Sequence, residues 1–273
     1  MPVWYGPWTP DTSPEKPKPD VELQQIVDRY AECLEVVDQT AMVAGVNRRT
    51  RETYQAGIQP MTESVVVPLL DEAWEDLYPG ERQFSDTEVN YPAADVPATT
   101  KLDHIFTTDG LLDEEATEWG IEVKRLQFVG DNGINGDYET AKMLSPYLKD
   151  RGVLHDALRL REYGFTRRIA VVGYGFNYDR ASLDHAATLH TSEVAQRTLV
   201  NISRILRRNG PLHFRPLIEF ADSILRMRGW TVGPRAEAHF EAWRHPSGGR
   251  GVVFGWEIRR PWLEPDYDPR HPW

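Results

Sequence analysis

The run Arg168-Ile169-Ala170-Val171-Val172-Gly173-Tyr174-Gly175-Phe176 has strand length and almost no polar alternation. Such a run reads as a strand buried on both faces, and a strand is buried on both faces only where helices cover both sides of its sheet. An α/β protein is therefore expected. Lys101–Thr107 alternates apolar with polar residues, an acidic turn follows over 109–118, and 119–128 alternates again, which reads as a hairpin.

Helical spacing accounts for much of the rest. Ile26, Tyr30, Cys33, Leu34, Val37 and Ala41 fall on one helical face, with Asp20 as the expected N-cap. After Pro60 a second helix is expected, capped by Thr62, with Glu63 in its first turn and apolar positions from Val65 to Leu77 before the stop at Pro79-Gly80. A Gly/Asn-rich loop over 129–136 leads to helical stretches ending near Glu162. Residues 192–208 place Val194, Leu199, Ile202, Ile205 and Leu206 on one face and Arg197, Arg204 and Arg208 on the other. Residues 240–260 read as a hairpin around Gly248-Gly249.

The first 20 residues hold six prolines, so residues 1–19 are expected to form a disordered arm. Residues 20–262 are read as a single domain, with a helical N-terminal segment (20–59), a core (60–208) and a C-terminal extension (209–262) before a Pro-rich tail (263–273). No apolar run approaches the roughly 18 residues of a membrane span. The start lacks the charged and apolar regions of a secretory leader, and the single Cys33 can form no internal disulfide, so a cytoplasmic protein is expected.

The net charge of −11 argues at first against a polyanionic partner, but it is polarised along the chain. Residues 1–150 carry 12 Lys and Arg against 29 Asp and Glu, whereas residues 151–273 carry 19 cations, all Arg, against 13 acids. Arginine matches phosphate with a two-pronged fork, which leaves nucleic acid open as a partner.

The chemistry is carried by Ile121-Glu122-Val123-Lys124. Alternate residues of a strand share a face, so Glu122 and Lys124 project together while Ile121 and Val123 enter the core. In the simplest hairpin register Asp103 reaches the same spot, and Asp109 would replace it if the register slipped. Two carboxylates on neighbouring strands make a hard oxygen site of the kind Mg²⁺ accepts. A lysine beside such a site can have its pKa lowered and help position or deprotonate a water. The bland alternative is a solvated strand face with no site at all.

A helix carrying Glu, a strand bearing Asp, a hairpin to a strand bearing (Asp/Glu)-x-Lys, then a helix and a further apolar strand: this order resembles the PD-(D/E)XK nuclease superfamily, the restriction-endonuclease-like fold. The matching positions are Glu63, Asp103, Glu122 and Lys124, with 168–176 as the later strand, over about residues 60–208. Leu102 stands before Asp103 where the family's motif has Pro. The resemblance implies a mixed central sheet flanked by helices and Mg²⁺- or Mn²⁺-dependent hydrolysis of DNA phosphodiester bonds, as in a restriction or phage-defence nuclease. Asp103 and Glu122 would be ligands, Glu63 an auxiliary ligand, and Lys124 would orient or activate water. Arg197, Arg204 and Arg208 are the candidate phosphate contacts, and a homodimer is the simplest way to cut both strands. The rival readings are a nuclease-fold module that binds nucleic acid or protein without cutting, and an α/β enzyme acting on a small molecule in a closed pocket.

Overall fold

The computed structural model describes residues 22–42, 55–81, 85–91, 100–107, 117–134, 152–163, 166–227 and 232–259, and the single positions 46, 51, 53 and 145. The Pro-rich arm, the tail, Asp109 and most of the acidic turn lie outside the described residues.

Two helices come first, α1 (Leu23–Thr40) and α2 (Glu63–Leu77), followed by strands β1 (Ser85–Asn90), β2 (Lys101–Thr107) and β3 (Thr117–Arg125). Helix α3 (Val153–Tyr163) leads into β4 (Arg168–Asn177). Helices α4 (Arg180–Leu189), α5 (Glu193–Asn209) and α6 (Arg215–Met227) precede β5 (Val232–Ala242) and β6 (Gly249–Ile258). The strands form one mixed sheet in the order β1-β2-β3-β4-β6-β5, in which only β3 and β4 run parallel. Helix α3 makes that parallel crossover, as a parallel pair requires.

The expected hairpin is β2–β3, antiparallel, with His104 opposite Ile121 and Phe106 opposite Trp119. The expected buried strand is β4, whose residues Ile169 to Phe176 are all buried. Two features depart from expectation. Helix α1 ends at Thr40, where Ala41 leaves helical dihedrals, and of the described residues of 20–59 those at 41, 42 and 55–59 are not helical. Residues 209–262 are no appendage: β6 pairs with β4 and carries β5 to the sheet margin.

Register assigns the two faces. Glu122 and Lys124 lie opposite Val171 and Gly173, which in turn face Trp256 and Phe254, and this side is met by α3. Ile121, Val123, Ala170, Val172 and Gly255 occupy the other side, where Leu23 and Val27 of α1 close over Gly255. At the margin, Gln24 of α1 donates to Glu237 O and accepts from Glu237 N, and Glu35 accepts from Glu241 N, so α1 supplies partners to the outer edge of β5. Cys33 is free and buried. Among the described residues no helix is long and apolar enough to cross a membrane.

Candidate active site

The orientation of Asp103 is set by its neighbour. On β2, His104 points to the α1/α2 side, where Nδ1 lies 2.9 Å from the Tyr30 hydroxyl and the ring stacks on Phe106 and meets Trp74 edge-on. This aromatic anchor holds the alternation of β2, so Asp103 faces the opposite side, the side of Glu122. The β2–β3 pairing ends at His104–Ile121. Beyond it the Asp103 carboxylate accepts the Val123 N–H at 2.7 Å, taking a backbone donor that continued pairing would have used.

Four carboxylates meet there. Glu63, at the start of α2, accepts from Lys124 Nζ and from the Arg125 N–H, both at 2.9 Å. Arg125 ties the chain before α2 to β3, its guanidinium donating to the carbonyls of Gln59 and Met61. Helix α3 buries Leu154, Ala157 and Leu160 and brings Asp156 and Arg159 one turn apart. Asp156 Oδ2 lies 3.0 Å from Lys124 Nζ, and Arg159 pairs with both Glu122 Oε2 and Asp156 Oδ1. Glu122 Oε1 accepts the Tyr91 hydroxyl at 2.6 Å. Counted as fully ionised, Glu63, Asp103, Glu122 and Asp156 face two cations, Lys124 and Arg159, a formal surplus of two negative charges that a proton taken up by Glu122 or Asp103 reduces.

That surplus sits in a dry place: the side chains of Glu122 and Asp156 are 2% and 4% exposed. Burial pushes the Asp103 carboxyl up to about 6, against the pull of Lys124 and of its bond from Val123 N–H. Burial also raises Glu122, reinforced by Asp103 and Asp156 and opposed by Arg159 and Tyr91. Lys124 moves the other way from the sequence expectation. Burial by itself would lower it, but Asp156, Glu63, Asp103 and Glu122 together outweigh burial and hold the ammonium protonated.

Glu63, Asp103, Glu122 and Lys124 are therefore brought together. Arg197, Arg204 and Arg208 are exposed on α5, away from these carboxylates in chain position but at the sheet end where β3 finishes. There Asn201 donates to Asn132 O in the loop after β3. The loop can approach α5 because Gly133, at φ +71, has no Cβ to strike Thr198 O. Sequence reasoning missed Tyr91, Asp156 and Arg159. The spacing of Asp156 and Arg159 on an otherwise apolar helix stripe was the available signal.

Every possible ligand here is a hard carboxylate oxygen, and the surplus charge equals that of one divalent ion, so the residues fit Mg²⁺ or Mn²⁺. Among the described residues no group of three or more Asp, Glu, His or Cys is placed to hold a metal ion, and both oxygens of Glu122 are engaged, by Arg159 and by the Tyr91 hydroxyl. No family model matches the chain, and neither does any curated protein or solved structure.

Proposed function

We propose that the chain is a metal-dependent nuclease of the PD-(D/E)XK type, with a restriction-endonuclease-like core, acting on DNA phosphodiester bonds. The observation that carries this reading is the convergence of Asp103, Glu122 and Lys124 on one face of a strand pair whose ladder stops beside them. Glu63 completes the group from the start of the preceding helix. The order α2, β2, β3, α3, β4 agrees with the element order of the resemblance, with β1 standing between α2 and β2.

Asp103 and Glu122 would hold Mg²⁺ or Mn²⁺, with Glu63 as an auxiliary ligand; when bound, such an ion polarises the phosphate and acidifies a water. The chain's own groups do the positioning. Val123 N–H fixes the Asp103 carboxylate, Tyr91 O–H fixes Glu122, and Glu63 and Asp156 keep Lys124 charged and aimed into the site. A protonated lysine steadies charge that develops on a phosphate oxygen and orients a water by donating to it; it does not take the water's proton. The exposed arginines of α5 are suited to phosphates further along the strand.

Engagement of both Glu122 oxygens, by Tyr91 and by Arg159, favours the second reading of a nuclease-fold binding module. Plasmid and linear duplex DNA incubated with Mg²⁺, Mn²⁺ or EDTA and resolved on a gel separates the two. Metal-dependent nicking that vanishes in Asp103→Asn and in Lys124→Arg supports the nuclease; intact DNA in every lane, with retained duplex binding, supports the module.

A further inference from the structure

The site contains a cation that behaves differently from Lys124. Arg159 Nη2 bridges Glu122 Oε2 on β3 and Asp156 Oδ1 on its own helix, and its guanidinium lies 5.6 Å from the centre of the Tyr91 ring. Its side chain is 21% exposed, against 2% for Glu122 and 4% for Asp156. Part of the Arg159 side chain reaches solvent, as the side chains of its two partners scarcely do.

An unpaired carboxylate as buried as Glu122 is costly, so without metal it is neutralised by a proton or by another cation, and the cation placed on it here is Arg159. Arginine does this well, but it cannot give up its proton when a second cation arrives. Two cations held on one carboxylate oxygen in a dry site repel strongly. One of them has to leave, and Arg159, whose side chain is partly exposed, is the one with somewhere to go, since Asp156 one helical turn earlier keeps hold of it.

We infer that Arg159 is a built-in counter-ion that competes with a divalent cation for Glu122 Oε2, so that metal loading requires the guanidinium to release that oxygen while Tyr91 retains Oε1. This rests on Asp103 and Glu122 being metal ligands, as proposed above. The arrangement makes metal occupancy conditional on a side-chain movement and keeps the metal-free site folded.

Calorimetric titration of the full chain with MnCl₂ and with MgCl₂ tests it, using wild type, Arg159→Gln and Arg159→Lys, with circular dichroism to verify folding. Removing a competitor raises affinity, so Arg159→Gln binds manganese about tenfold more tightly, the effect of a coupling of about 1.4 kcal/mol. Its melting temperature falls without metal and recovers with it by more than wild type gains. Arg159→Lys keeps the charge without the fork and binds about threefold more tightly, which carries the test if the glutamine variant does not fold. A residue with a merely structural role would loosen the ligands and lower affinity. Unchanged or weaker binding in both variants, with wild type binding normally, overturns the counter-ion while leaving the metal site standing. No binding in any of the three proteins overturns both.

Discussion

Two buried polar clusters lie in this molecule, and they are built on opposite plans. In the first, side chains of four acids face two cations and the charges do not cancel. In the second, where α1, the segment before α2 and the β5–β6 turn meet, charge is almost absent. Asp38 there accepts the backbone N–H groups of Ile58 and Arg244 at 2.9 and 3.0 Å. His245 Nδ1 lies 2.9 Å from Ser247 Oγ, and the Tyr178 hydroxyl donates to Ser247 O at 2.6 Å. Each polar group of the second cluster is answered largely by backbone, which cannot be exchanged for a ligand. The first is answered by side chains, one of which, on the proposed reading, gives way to another cation. On the proposed reading, surplus charge among side-chain partners belongs to the region that binds, and pairing with backbone to a structural tie.

The sharpest way to break this contrast is to remove one acid from each cluster. Asp103→Asn is expected to lower cleavage of plasmid DNA by about a thousandfold or more, because a metal ligand is lost. Its melting temperature should hold or rise, since the charge removed was in surplus; a collapse in stability would make the first cluster another structural tie. Lys124→Arg should be as inactive, because the fork neither fits between Glu63 and Asp156 nor reproduces the compact ammonium.

Asp38→Ala should do the reverse. Two backbone donors, one buried and one part-buried, lose their acceptor, and urea unfolding should show a loss of about 3 kcal/mol with cleavage by the folded fraction unaltered. Gly57→Ala attacks the same tie from the other side, since φ +113 and a Cβ 2.9 Å from Asp38 Oδ1 both oppose a side chain, at a cost of about 2 kcal/mol.

Acid sharpens the comparison further. Burial, with a smaller push from His190, lowers His245 to about 3. The unfolded chain takes up this proton near pH 6.5 and the folded chain does not. The stabilisation is therefore complete above about 6.5 and is lost as the pH falls towards about 3, amounting to about 2 kcal/mol between pH 7 and 5. Urea midpoints measured at both pH values should show that drop in wild type and a smaller one in His245→Gln. The smallest effect belongs to the surface: Arg204→Gln should weaken duplex binding only a few-fold and reduce its salt dependence by about one phosphate contact.

Much of this was legible beforehand. The apolar run of β4, the alternation of β2 and β3, and the Glu122/Lys124 pair follow from periods of the chain that burial enforces. Strand β1 was not legible, because Ser-Asp-Thr-Glu-Val-Asn offers one buried apolar residue, Val89, and its pairing with β2 supplies what the side chains do not. Asp156 and Arg159 read as an ordinary surface pair one turn apart, since nothing local says that their helix crosses above Glu122. Tyr91 comes from beyond β1, so its place depends on a strand that itself had no signal.

The grip of α1 on β5 has a consequence for how copies of this chain meet. A sheet margin with free amides and carbonyls is a template on which another chain can polymerise. Here the amide of Gln24 imitates a peptide group against Glu237, and the Glu35 carboxylate takes a further outward donor at Glu241. One helix thus acts as a terminator at that margin. Self-association by strand addition is turned away from β5, and the margin at the opposite end of the described sheet belongs to the short, polar β1, a poor template for growth.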